Sequence, residues 1–233
     1  MPQRKQHIPS IGRTAEDMIE SNSSVIDTRR RPVIVVVEGQ FDIEFLRRIS
    51  HTLNAVDSTI PDLATAEADG NVILVPFGGG GHSEWISRFE SLRLPEFHLF
   101  DREISPETEN RLTTAVEINA RPRCHAVVMR RRSLENYLHP DAVVDTFDVS
   151  VEFTPQCPVV QRLATELHRS GSFAVPWQEL SRKGQHRLFN RLKRRLNTAA
   201  ADHMTVARIQ QADPAGEIHS WLATIAVLAS HRI

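Results

Sequence analysis

The sequence predicts an α/β fold: a mostly parallel four-stranded sheet flanked by helices, with a C-terminal helical appendage. Three observations predict it. Short apolar runs alternate with amphipathic, helix-length stretches from residue 33 to about residue 130. A strand–helix–strand crossover returns the chain in the same direction, so this order favours parallel pairing with helices on both faces. The first run, "VIVVV", is β-branched throughout, as suits a strand covered on both sides. After Arg130 the strand signals fade and helical periodicity takes over.

Each element has its own signal. Residues 1–31 are polar and read as a flexible lead-in, where Thr14 and Asp17 can cap a short helix over 15–21. Residues 33–37 form the first strand. Residues 41–53 place Phe41, Phe45, Leu46, Ile49 and Leu53 on one helical face. A second strand, 72–75, runs into four glycines at 78–81, and 82–89 reads as helix. The third strand is 97–100. Ser105 as N-cap and Pro106 at the first helical position then start a helix that reaches about residue 119. The fourth strand is 125–129. Helices follow over 140–147, 159–169, 184–196 and 214–229, with Pro155 and Pro158 in a loop between them. The resulting division is a lead-in (1–31), a sheet domain (32–150) and a helical extension (151–233).

Composition narrows the classes. Apolar residues make up 40% of 233, enough for a real core, and the net charge is -1. Any nucleic-acid surface must therefore be local. Cys124 and Cys157 show neither pairing nor zinc spacing, which fits a reducing, cytoplasmic setting. The N-terminus has no apolar signal region, and no window approaches the ~18 apolar residues of a membrane span.

The acids fall where open α/β sheets bind ligands, beyond the carboxyl ends of the strands. Glu38 closes the first strand, Gly39 allows a sharp turn, and Asp42 follows one helical turn later. Asp101 and Glu103, in "HLFDRE", follow the third strand; two apart in extended backbone, they point the same way. Glu135, in "SLENYL", follows the fourth. A single acid at a strand end is commonly a solvated turn residue or a helix cap. Several converging carboxylates need a cation, and a hard-oxygen set suits Mg²⁺ or Mn²⁺. Two such ions, roughly 3.5–4 Å apart, can steady both oxygens of a phosphodiester displacement.

"VIVVVEGQFDIEFL" resembles the first motif of the TOPRIM domain, and "HLFDRE" its Asp-x-Asp motif with Glu103 in place of the second Asp. "SLENYL" is most similar to the overcoming-lysogenization-defect (OLD) nuclease branch. The resemblance covers about residues 31–141. It implies a TOPRIM-like fold and metal-dependent cleavage of DNA. Glu38, Asp42 and Asp101 would hold one ion, and Glu103 and Glu135 would help with a second. A lysine of the helical part would stabilise the transition state, with Lys183 the best match. OLD proteins usually carry an ATPase with a Walker A motif, which is absent here. The resemblance thus implies a free-standing nuclease or a partner ATPase chain, the latter suggesting an antiviral system; a homo-oligomer is left open.

Remaining signals are secondary. "FGGGGH" lacks the Lys-Ser/Thr of a nucleotide loop and reads as a tight turn on the active rim. Residues 180–201 hold no acid but carry Arg182, Lys183, Arg187, Arg191, Lys193, Arg194 and Arg195, and Arg130, Arg131 and Arg132 flank the acids. Such runs bind phosphates without sequence preference, or simply solvate a helix face. His98 and His125 read as packing residues, and so does Tyr137, beside Glu135. Trp85, Trp177 and Trp221 read as core. Two further readings stand beside the DNA nuclease. One is an RNA-processing TOPRIM nuclease; the other is a degenerate nucleic-acid-binding or regulatory subunit.

Overall fold

The five β-branched residues Val33–Val37 form strand β1, and all five are buried. A computed structural model describes residues 31–78 and 87–230 of the chain. β1 is flanked by β2 (Val72–Pro76) and β3 (Glu96–Phe100), and β4 (Cys124–Val128) completes the order β2-β1-β3-β4. All three pairings are parallel, with Val33 opposite Val72, Val36 opposite His98, and His98 opposite Ala126. Strand ranges agree with the sequence reading to within a residue.

The alternation of β1 side chains sends two sets of residues to two cores. Val33, Val35 and Val37 join Phe97 and Leu99 on one face, packed by Ile43, Phe45, Leu46 and Ile49 of helix α1 (Gln40–Asn54). Ile34 and Val36 join Phe100 and Ala126 on the other, covered by Ala115 and Ile118 of helix α3 (Glu107–Asn119). Helix α2 (Leu63–Ala68) lies between α1 and β2 and carried no clear periodic signal, being only six residues long.

The C-terminal half is helical, as expected: α4 (Pro140–Phe147), α5 (Val159–Arg169), α6 (Arg182–Arg195), α7 (Val206–Ala212) and α8 (Glu217–Ser230). Its buried residues, among them Leu163, Leu192, Leu196, Trp221 and Ile225, belong to the same continuous core as Val33 and Phe97. Ser181 caps α6 by accepting the Gly184 N–H at 3.2 Å. The helix then widens into a π-helical turn over Leu196–Ala200.

Some expectations shift. α3 begins at Glu107 without a side-chain cap, and Ser105 Oγ instead donates to Glu109 Oε1 at 2.7 Å. Gly39 is in extended backbone (φ -143°), so the turn into α1 does not depend on glycine's extra conformational freedom. The lead-in over 1–30, its helix at 15–21, the glycines from 79 on and Trp85 lie outside the described residues, as does the helix over 82–89 apart from 87–89, which form a turn. Trp221 is buried against Tyr137, whereas Trp177 is only partly so. His98 is buried and paired with Glu96 at 2.8 Å; His125 is exposed and stacks on Phe97. Both cysteines are free. Cys157 is buried beneath Asn136, and Cys124 is half-buried at the start of β4. Among the described residues no helix is long and apolar enough to cross a membrane.

Candidate metal centre

β1 and β3 are neighbours, but the helices that follow them leave to opposite faces. α1 packs on one side and α3 on the other. This is a topological switch point, where a crevice opens beyond the strand ends. Glu38 and Asp101 are the first residues past β1 and β3, so parallel pairing brings them together there.

Glu38, Asp101 and Glu103 each offer a carboxylate oxygen within 4.8 Å of the other two. Glu103 reaches this cluster by an unexpected route. Its backbone is left-handed (φ 51°) rather than extended. Its N–H donates to the Arg132 carbonyl at 3.1 Å, and Arg132 Nε lies 3.4 Å from Glu103 Oε2. Asp101 Oδ1 is buried and has no hydrogen-bond partner among the described residues. Such an orphan acceptor costs about 1–3 kcal/mol unless something outside the chain satisfies it. An all-oxygen donor set with an unsatisfied carboxylate fits a hard divalent cation.

Asp42 and Glu135 form the other half of the rim. Asp42 Oδ2 accepts the Gly39 N–H at 2.8 Å. Lys193 Nζ stands 3.2 Å from Asp42 Oδ1 and 3.5 Å from Glu135 Oε1. Asn197 Nδ2 donates to the same Glu135 oxygen at 2.6 Å. Lys193 and Asn197 are four apart, so α6 and its π-helical turn present them on one side. Arg111, from α3, closes the far side: Nη1 donates to the Asp101 carbonyl at 2.5 Å, and Nη2 lies 2.7 Å from Glu38 Oε1.

Burial and crowding set the protonation of these groups. Burial pushes Glu38 up to about 7, against the pull of Arg111. It raises Asp42 despite Lys193, and it lifts Asp101 well above the carboxylate range, with Glu38 and Asp42 adding to the rise. Burial acts on Glu135 too, but Lys193, Ser133 and Asn197 outweigh it and hold this carboxyl below its usual value. For Lys193 burial is opposed by Glu135, Asp42 and Asp101, which keep it a firm ammonium. An ion in the crevice would relieve the acids that burial has raised.

The lysine expected at the site was Lys183. It is exposed on the first turn of α6, ten positions from Lys193, or about 15 Å along the axis. Lys193 is the lysine among the acids. A helical wheel held the signal, since Lys193 follows buried Leu192 and precedes buried Leu196 by three, on the inward side of an otherwise basic helix. Asn197 and Arg111 carried no comparable signal; both sit in long helical stretches and meet the acids only through tertiary packing.

The basic residues divide. Arg182, Arg187, Arg191 and Arg194 are exposed on α6, Arg191 lying over the Phe173 ring. Arg130 is exposed and Arg132 faces Glu103. Arg131 turns inward instead: its guanidinium donates to the Asn136 and Ala212 carbonyls and lies over Tyr137. Two carbonyl acceptors and a ring face leave it unsuited to binding phosphate. Tyr137 is fully buried and donates to Glu217 Oε2 at 2.7 Å, and burial with Glu217 holds its phenol protonated. That is a packing role, not a nucleophile's.

No family model matches the chain, and no curated protein does. Solved structures do. The C-terminal region of the Xanthomonas campestris pv. campestris OLD protein, phased with iodine, superposes with a TM-score of 0.53 at 16% identity, covering 88% of this chain and 98% of that one. The same region phased with mercury gives 0.50 at 18% identity, covering 88% and 98%. The likeness is one of fold, and it extends the resemblance read from the motifs through the helical C-terminal part.

Proposed function

We propose that the chain is a metal-dependent nuclease that hydrolyses phosphodiester bonds in DNA, holding Mg²⁺ or Mn²⁺ at Glu38, Asp101 and Glu103. The observation that carries this reading is the three-carboxylate cluster, with an orphaned Asp101 oxygen, at the switch point of a fold shared with OLD proteins. When bound, the ion would supply Lewis-acid polarisation of a phosphoryl oxygen. The chain's own groups do the rest. Lys193 offers a fixed positive charge to charge developing on the phosphate, and Arg132 anchors Glu103. The exposed arginines of α6 offer a track for the nucleic-acid backbone.

The test is an incubation series with supercoiled, linear and single-stranded DNA and with RNA, each with Mg²⁺, Mn²⁺ or EDTA. Expected is EDTA-sensitive cleavage of DNA that Glu38→Ala and Asp101→Ala abolish without changing the far-UV spectrum. Wild-type cleavage by both variants sinks the proposal. Cleavage of RNA alone moves the chain to the RNA-processing class. Metal binding without cleavage makes it a regulatory subunit.

A further inference from the structure

Among the described residues, five carboxylates meet at the rim and three cations touch them: Lys193 at Asp42 and Glu135, Arg111 at Glu38, and Arg132 at Glu103. With all groups charged, two negative charges remain, the charge of one divalent ion. The carboxylates are also unequally available. Asp101 has a buried oxygen with no partner, and Glu38 and Glu103 reach the same small space. Asp42 accepts the Gly39 N–H on Oδ2; its Oδ1, buried and without a hydrogen bond among the described residues, faces the Lys193 ammonium at 3.2 Å as an ion pair, whereas Asp101 Oδ1 has no such cation against it. Glu135 takes both Lys193 and Asn197 on Oε1, and Asn197 is wholly buried.

The ammonium is held there by its helix. Leu192 and Leu196, on either side of Lys193, are almost fully buried in the main core. The lysine side chain is itself only 17% exposed. A cation entering the Asp42–Glu135 half would meet a buried like charge already paired with both acids, and repulsion between charges is strong where water is scarce.

We propose that this site takes a single divalent ion per chain, at Glu38, Asp101 and Glu103, because the Lys193 ammonium stands in the half where a second ion would otherwise bind. The proposal rests on the metal-site part of the functional reading but not on its chemistry. It departs from the two-ion arrangement that the family resemblance implies.

Calorimetric titration of the full chain with Mn²⁺, after removal of bound metal with EDTA, tests it. Wild-type protein should bind about one ion per chain, and Lys193→Met, which keeps the stem and removes the charge, should bind about two. The double variant Glu38→Gln/Glu103→Gln should bind none, which provides a second check if Lys193→Met fails to fold. Two ions in the wild type, one ion in folded Lys193→Met, or a residual ion in the double variant would each overturn the proposal, as would absence of Mn²⁺ binding. The two readings fail separately. One ion without cleavage of any nucleic acid overturns the nuclease and leaves the stoichiometry standing; two ions with DNA cleavage does the reverse.

Discussion

Glu38 shows how one residue ties the fold to the chemistry. Its native pKa near 7 lies above the ordinary 4.5, chiefly through burial. Between those values the folded state holds a proton that the unfolded chain has released. Stability of the metal-free protein therefore declines as pH rises through this window, and this contribution flattens above it. Thermal melts in EDTA across the window should show the decline, and Glu38→Gln should make it shallower. An identical slope in the variant would assign the effect to other groups. Glu38, Asp42, Asp101, Glu103 and Glu135 were legible as single letters because strand ends announce themselves through apolar runs. Lys193 was not read, because a lysine among six other basic residues looks like surface until its neighbours Leu192 and Leu196 are placed.

At the scale of the element, α6 performs two tasks with opposite faces. Leu188 and Leu192 dock it on the core, and Arg187, Arg191 and Arg194 line its exposed side. If that side tracks phosphates, Arg187→Gln/Arg191→Gln/Arg194→Gln should weaken DNA binding and reduce the slope of log affinity against log salt by about 2.7, at about 0.9 per lost contact. Fluorescence anisotropy over a salt series measures this, and an unchanged slope would return the arginines to plain solvation. Strands and long helices were read to within a few residues because their periodicity is strong. α2 and α7 are six and seven residues long, too short for a period to show. The π-helical turn at Leu196–Ala200 packs against α1 and α4, and no local signal marks it.

On the scale of the whole molecule, the sheet and the helical extension share one core: Val33, Phe97, Leu163, Leu192 and Trp221 belong to a single cluster. Residues described here should accordingly unfold as one unit. Leu192→Ala should destabilise by about 2–5 kcal/mol and shift circular dichroism and tryptophan fluorescence transitions together. Two separated transitions would show that the extension folds by itself. Strand order, by contrast, was beyond the reach of sequence pattern. Four similar apolar runs say nothing of which lies beside which, yet it is the adjacency of β1 and β3 that brings Glu38 to Asp101.

The placement of the two thiols bears on oxidation. Cys157 is buried beneath Asn136, and Cys124, half-buried near Glu96, has its thiol pushed up by burial and then by that carboxylate. The thiolate is the form that attacks disulfides and reacts with oxidants, and neither side chain offers an accessible one. The chain should thus tolerate aerobic handling without reductant, and its crevice, built from oxygen and nitrogen groups alone, has no thiol to lose.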